Sequence, residues 1–226
     1  MAKQWLFITG TDTDVGKTLV GCGVLAAANR QGLRTAAIKP VAAGCEVTEQ
    51  GMTNTDALQL QAAASHKLSY QQINPIALEP AIAPHIAAAE AGVCMSVSRL
   101  VGYCRGVSLM PVDMVVIEGA GGWRVPINSR ETLADVAREL NCAVIVVVGM
   151  RLGCLNHALL TMEAIRRDGL QIAGWVANIL DGEMPRLEEN IDTLKQCINE
   201  PCLGTVPRLD DLSAEQVATF LTVPAC

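Results

Sequence analysis

A doubly wound α/β fold, with a mainly parallel sheet covered by helices on both faces, is what this sequence predicts, on three observations. Short apolar runs alternate along the chain with helix-like stretches, the order that builds a parallel sheet through right-handed crossovers. The runs are apolar almost throughout, as in Val144-Ile145-Val146-Val147-Val148, which suits strands buried on both faces. The 226 residues, half of them hydrophobic, can fill one sizeable core.

The strand-like runs are Trp5–Thr9, Thr35–Lys39, Val112–Ile117, Ala143–Val148 and Ile172–Ala177, each bounded by Gly, Pro, Asn or charge. Helix-like stretches fall between them at Lys17–Arg30, Thr55–Ala64, Leu133–Leu140, Asn156–Arg167 and Arg186–Ile198. No repeat, low-complexity tract or linker interrupts the series, so residues 1–226 read as one domain. The least regular part is Asn74–Pro111, where Pro75, Pro80, Pro84 and Pro111 punctuate an Ala-rich segment. It is expected to hold one or two helices and to flank the site.

Several classes of function are excluded. A net charge of −6 and the lack of a basic stripe argue against a nucleic-acid partner. No run approaches the roughly 18 apolar residues of a membrane span, and the N-terminus enters a strand-like run at once, so a cytoplasmic protein is expected. The nine cysteines, at 22, 45, 94, 104, 142, 154, 197, 202 and 226, form no Cys-x-x-Cys pair. They read as reduced thiols, mostly small buried hydrophobes.

The strongest chemical signal is Gly10-Thr11-Asp12-Thr13-Asp14-Val15-Gly16-Lys17-Thr18, which follows a strand and opens a helix. In that context successive backbone N–H groups and the helix N-terminus surround phosphate oxygens, Lys17 neutralises their charge and the Thr18 hydroxyl reaches Mg²⁺. Five residues separate Gly10 from Gly16, one more than in the common phosphate loop. The fold is therefore expected to be of the phosphate-loop NTPase kind. Asp12 and Asp14 are unusual in an anion-binding loop; they either point away, toward a cationic or amine-bearing group, or cap the helix.

Glu118 ends an apolar strand at the edge where open α/β sheets place ligands, and can hold or orient Mg²⁺. Gly119, Gly121 and Gly122 after it allow close backbone approach; the plain alternative is a strand end with a flexible turn. Asp56 opens a helix-like run and is read equally as a metal ligand or a helix-initiating acid. With Thr18, Glu118, phosphate and water it would suit octahedral Mg²⁺. Lys39, before Pro40, either faces the phosphates or is a solvated strand-end lysine.

In order along the chain, Gly-Thr-Asp-Thr-Asp-Val-Gly-Lys-Thr at 10–18, Lys39-Pro40-Val41, Asp56, Glu118-Gly119-Ala120-Gly121-Gly122 and Gly174-Trp175-Val176-Ala177-Asn178 resemble the dethiobiotin synthetase family over roughly residues 5 to 210. The resemblance implies ATP-dependent carboxylation of 7,8-diaminononanoate by CO₂ and ring closure to dethiobiotin, with release of ADP and phosphate. It also implies that Thr18, Asp56 and Glu118 bind Mg²⁺ and that Lys17 and Lys39 are catalytic cations.

By the same resemblance, the nucleotide is expected on Asp14, Val15, Gly16, Lys17, Thr18, Asp56, Glu118, Gly119, Ala120 and Gly121. Asn178 would take the adenine, beside Pro207, Arg208 and Leu209; as bare sequence Asn178 also reads as a strand-end turn residue. The substrate positions implied are Thr13, Ala43, Gly121 and Asn156, the last from a segment meeting the substrate across a homodimer interface. Asn156 reads equally as a plain N-cap, and His157 as structural. Ala43 stands where many relatives offer a hydroxyl, which removes one hydrogen bond to the substrate.

Two other functions fit the loop. One is a related ligase acting on another amine or carboxylate, for whose added glutaminase domain the chain has no room. The other is a partner-binding switch ATPase; in such proteins a lysine typically occupies the position of Asp12, and their basic C-terminal helix contrasts with Asp210, Asp211 and Glu215 here.

Overall fold

The computed structural model describes residues 3–49, 51–180, 184–209 and 213–224; Asp210, Asp211 and Cys226 lie outside them. In chain order the elements are β1 (Gln4–Gly10), α1 (Lys17–Arg30), β2 (Thr35–Ile38), β3 (Val41–Ala43), β4 (Glu46–Thr48) and β5 (Gly51–Thr53). Then come α2 (Thr55–Ala63), α3 (Tyr70–Ile73), β6 (Ile76–Leu78), α4 (Pro84–Glu90), α5 (Val97–Ser108), β7 (Met114–Glu118) and α6 (Leu133–Glu139). The last are β8 (Ala143–Met150), α7 (Cys154–Arg167), β9 (Ile172–Ile179), α8 (Leu187–Cys197), β10 (Cys202–Val206) and α9 (Ala214–Val217).

Six strands form one sheet in the order β10-β9-β8-β1-β7-β2, and all its pairings are parallel. This is the doubly wound architecture expected from the alternation. Side chains alternate across each strand, so successive residues enter opposite cores. Phe7, Val115, Ile117, Val144, Val146 and Trp175 pack with residues of α5, α6, α7 and α8. Leu6, Ile8, Val116, Ile145 and Val147 pack with α1, Leu60 of α2 and Val217 of α9. The apolar runs of these strands are thus a direct consequence of cover on both faces.

The irregular segment contains α4, α5 and a short strand, β6, which pairs with β3 in a small parallel sheet; β4 and β5 form a hairpin. Two helix starts differ from expectation: α8 begins at Leu187, with Arg186 as its N-cap, and the larger difference is at α7. α7 begins at Cys154 rather than Asn156, because Gly153 at φ 96° takes the left-handed N-cap position. Asn156 is therefore an exposed residue inside the first turn of α7, not its N-cap.

Of the described cysteines, Cys22, Cys45, Cys104, Cys142 and Cys154 are buried and Cys94 and Cys197 exposed, and none is in a disulfide. Burial pushes the Cys22, Cys104 and Cys142 thiols up to about 12, so they act as hydrophobes. No helix among the described residues is long and apolar enough to cross a membrane.

Trp175, on β9 next to the edge strand β10, is fully buried. A Trp175→Ala variant is expected to lose about 3–5 kcal/mol of stability, read from urea denaturation midpoints.

Candidate active site

β1 lies between β7 and β8; the chain leaves β1 toward β2 and leaves the neighbouring β8 toward β9, in opposite directions along the sheet. The carboxyl ends of the strands meet there, where open α/β sheets bind ligands. The loop from Thr11 to Gly16 rises from β1 at this point and delivers Lys17 and Thr18 as the first residues of α1. Gly16 is required by its geometry: φ is 88°, and a Cβ there would lie 2.1 Å from Asn178 Nδ2. Neither Asp12 nor Asp14 caps α1, whose N-cap is Gly16 without a side-chain bond. The Asp12 carboxylate instead pairs with Arg151 and accepts from the Thr13 N–H at 2.8 Å.

Four residues far apart in sequence converge beside the loop. The Lys39 ammonium donates to Asp56 Oδ2 at 2.8 Å and to Glu118 Oε1 at 2.5 Å. The Thr18 hydroxyl donates to the same Glu118 oxygen at 2.9 Å. Lys39, at 5% exposure, follows directly on β2 and is not a solvated strand-end lysine. Asp56 is not the cap of its helix: Asn54 caps α2 through its side chain, which leaves Asp56 free to turn toward Lys39. Glu118, at 1% exposure, is the last residue of β7, in register with Ile8 two residues before the end of β1.

Electrostatics follow from this crowding. Burial lowers the affinity of Lys39 for its proton, but Glu118 and Asp56 outweigh it and hold its pKa above the ordinary lysine value. Lys17 is also buried, and burial pulls its pKa below the ordinary value; attraction to Glu118 opposes this and repulsion from Lys39 adds to it. Its ammonium meets only an uncharged partner, the Asp12 carbonyl at 3.0 Å, in the hydrogen bond it makes. Lys17 is thus a cation held in readiness for an anion.

Glu118 Oε2 is buried and has no hydrogen-bond partner among the described residues. An orphaned carboxylate oxygen beside a threonine hydroxyl and a second carboxylate is a fitting hard-oxygen donor set for Mg²⁺. No group of three or more His, Cys, Asp or Glu that could hold a metal occurs among the described residues.

On the other side of the loop, Asn178 is buried within β9, not in a turn, and donates through Nδ2 to the Val15 carbonyl at 2.9 Å. Val206 is its register partner on β10, so Pro207, Arg208 and Leu209 leave the sheet next to it. Gly121 approaches the loop as well: a Cβ on it would stand 3.5 Å from Thr13 Oγ1. Thr13 and Asn156 are exposed and Ala43 is half-buried at the end of β3. Sequence reasoning does not reach Arg151, although a basic residue directly after the apolar β8 was a usable signal.

Fold and loop together define a class, the phosphate-loop nucleotide-binding α/β proteins. MinD from Pyrococcus horikoshii OT3, complexed with Mg-ADP, superposes with a TM-score of 0.57 at 16% identity over 96% of this chain and 86% of that one. Chloroplast FtsY from Physcomitrella patens gives 0.51 at 18%, over 97% and 66%. These likenesses concern the fold alone.

A family described as an AAA domain matches residues 4–216. The ATP-dependent dethiobiotin synthetase BioD of Cellvibrio japonicus is 59% identical over 221 residues, covering 98% of this chain and 96% of that protein. The enzymes of the same name from Pseudomonas paraeruginosa and Marinobacter nauticus are 56% and 51% identical, over 95% and 98% of this chain and 94% and 95% of theirs. The chain belongs to the dethiobiotin synthetase family.

Lys39→Met is expected to strand the buried Glu118 carboxylate and cost about 3–5 kcal/mol. Adding Glu118→Gln is expected to recover most of that loss. Denaturant midpoints of the two single variants and the double variant, in metal-free buffer, measure the coupling.

Proposed function

We propose that this chain is an ATP-dependent cyclo-ligase that carboxylates 7,8-diaminononanoate with CO₂ and closes the ring to dethiobiotin, releasing ADP and phosphate. The observation that carries the reading is the cluster of Lys39, Asp56, Glu118 and Thr18 beside the phosphate loop, in a chain whose near relatives bear the name of that enzyme.

In this reading the backbone of Asp14, Val15 and Gly16, with Lys17 and Thr18, holds the nucleotide phosphates, and Gly119, Ala120 and Gly121 form the facing wall. Thr18, Asp56 and Glu118 hold Mg²⁺, which when bound neutralises the β- and γ-phosphates. Asn178 reads the adenine, because its fixed amide still offers an acceptor and a second N–H, and Pro207, Arg208 and Leu209 wall that pocket. Thr13, Ala43, Gly121 and Asn156 contact the diamine.

The chemistry is a sequence of anions. One substrate amine attacks the carbon of CO₂ and loses a proton, giving a carbamate. A carbamate oxygen takes the γ-phosphoryl group as ADP leaves, and the second amine then attacks the carbonyl carbon and expels phosphate as the ring closes. Lys17 and Lys39 place two positive charges where these anions form, before the reaction starts. Such preorganisation in a buried site is worth several kcal/mol, about 3–4 for a single lost donor. No protein nucleophile is needed.

A homodimer belongs to the same proposal. Leu152, Leu159 and Leu160 are exposed around Asn156 on and before α7, apolar surface that a second copy would cover. So do a single domain, supported by two cores that share one sheet, and a cytoplasmic location, supported by free thiols at all the described cysteines.

Purified protein is expected to release phosphate from ATP only when Mg²⁺, bicarbonate and the diamine are all present, with the ureido product detected by mass spectrometry. Vigorous hydrolysis that ignores the diamine would refute the reading. Lys39→Ala is expected to lower kcat about a hundredfold or more while leaving ADP affinity, by calorimetry, within a few-fold of the parent.

A further inference from the structure

Lys39 and Asp56 sit on separate elements, and the contact between their side chains demands that those elements be held in a fixed relation. Nothing in the phosphate loop does this. The fixing elements are found behind the pair, in a polar network that the reaction itself does not use. The backbone N–H of Asn54, the residue that caps α2, donates to the Tyr70 hydroxyl oxygen at 2.7 Å. That hydroxyl donates to Asn74 Oδ1 at 2.9 Å. Asn74 Nδ2 donates in turn to the Lys39 carbonyl at 2.8 Å and to the Ile76 carbonyl at 3.2 Å. The Lys39 N–H donates to the Ile73 carbonyl at 2.8 Å.

These bonds close a ring. It runs from the Lys39 backbone through Asn74 and Tyr70 to Asn54, through the first turn of α2 to Asp56, and back across the Lys39–Asp56 ion pair. Asn54 and Asn74 are buried, with 8% and 3% exposure. The Asn74 bonds to the Lys39 and Ile76 carbonyls are therefore shut off from water, and losing one strands a polar group. α3 supplies Tyr70 and ends just before Asn74, four residues on, so a single helical turn presents both members.

We propose that Tyr70 and Asn74 are positioning residues that hold Lys39 and Asp56 in register with each other. The proposal rests on the reading of those two residues as catalytic cation and metal ligand. Tyr70 contributes through its hydroxyl alone: one oxygen accepts from the α2 cap and donates to Asn74, so it sets the spacing between α2 and the exit of β2. The aromatic ring, partly buried against the core, is preserved in phenylalanine. Tyr70→Phe thus removes the link without removing the packing.

The test compares Tyr70→Phe, Lys39→Ala and the double variant with the parent, normalising active protein by ADP titration. Tyr70→Phe is expected to lower kcat about tenfold to a hundredfold, the scale on which a displacement of about 1 Å acts. The Mg²⁺ concentration for half-maximal rate is expected to rise, with ADP affinity unchanged. Against a Lys39→Ala background the same change is expected to add little, since both act on one group. Unchanged kcat and Mg²⁺ dependence in Tyr70→Phe, alongside a damaged Lys39→Ala, would overturn the proposal and leave the site reading intact. So would full additivity, or a loss of activity that vanishes on normalisation. If Lys39→Ala keeps its activity, the site reading fails and this inference with it.

Discussion

The burial of one carboxylate governs this molecule. Glu118 ends an interior strand of the sheet with its side chain removed from water, and a charge so placed is tolerated only beside compensating groups. Lys39 and Thr18 supply them. Each comes from a different strand exit or helix start, so the demand of a single anion draws β2, α1 and β7 to one point. The arrangement that satisfies Glu118 also places two ammonium groups and oxygen donors together beside the phosphate loop, so that on the proposed reading stability and chemistry have the same origin.

The two lysines illustrate how neighbouring groups of one type acquire different roles from their surroundings. Lys39 is neutralised by two carboxylates, whereas Lys17 makes its hydrogen bond to a backbone carbonyl. Lys17 is desolvated without a paired anion, and the opposite directions of the two pKa shifts record the difference; on the proposed reading it is Lys17 that receives phosphate. Asp12 fits the same logic. Its carboxylate is turned to Arg151 at the end of β8, so the acid in the loop carries its own counter-charge and need not oppose an incoming anion.

Much of the fold was legible in the sequence because the signals were local. Five-residue apolar runs between amphipathic or Ala-rich stretches specify strands and helices without knowledge of their partners, and α1 falls on Lys17–Arg30 as the loop motif and its helix context imply. The three-residue strands β3 to β6 escaped: so short a run shows no periodicity, and the pairing of Val41–Ala43 with Ile76–Leu78 joins segments separated by a whole helix–turn region. The start of α7 escaped because a left-handed Gly153 does the work usually signalled by a polar cap. At the site, residue types and positions could be read, but their pairing could not. Lys39 and Glu118 stand 79 residues apart, and whether a strand-end lysine is solvated or buried depends on what the rest of the chain brings to it. The Asn54–Tyr70–Asn74 chain was wholly invisible, since each member alone is an ordinary cap, aromatic or turn residue.

The bond from Asn178 to the carbonyl of Val15 has a consequence for engineering. An amide that fastens the loop with one hydrogen cannot be exchanged for another side chain merely to alter which base is preferred, because the fastening would go too. On the proposed reading, redesign toward a different nucleotide has to begin across the pocket, at Pro207, Arg208 and Leu209, and treat residue 178 as part of the frame.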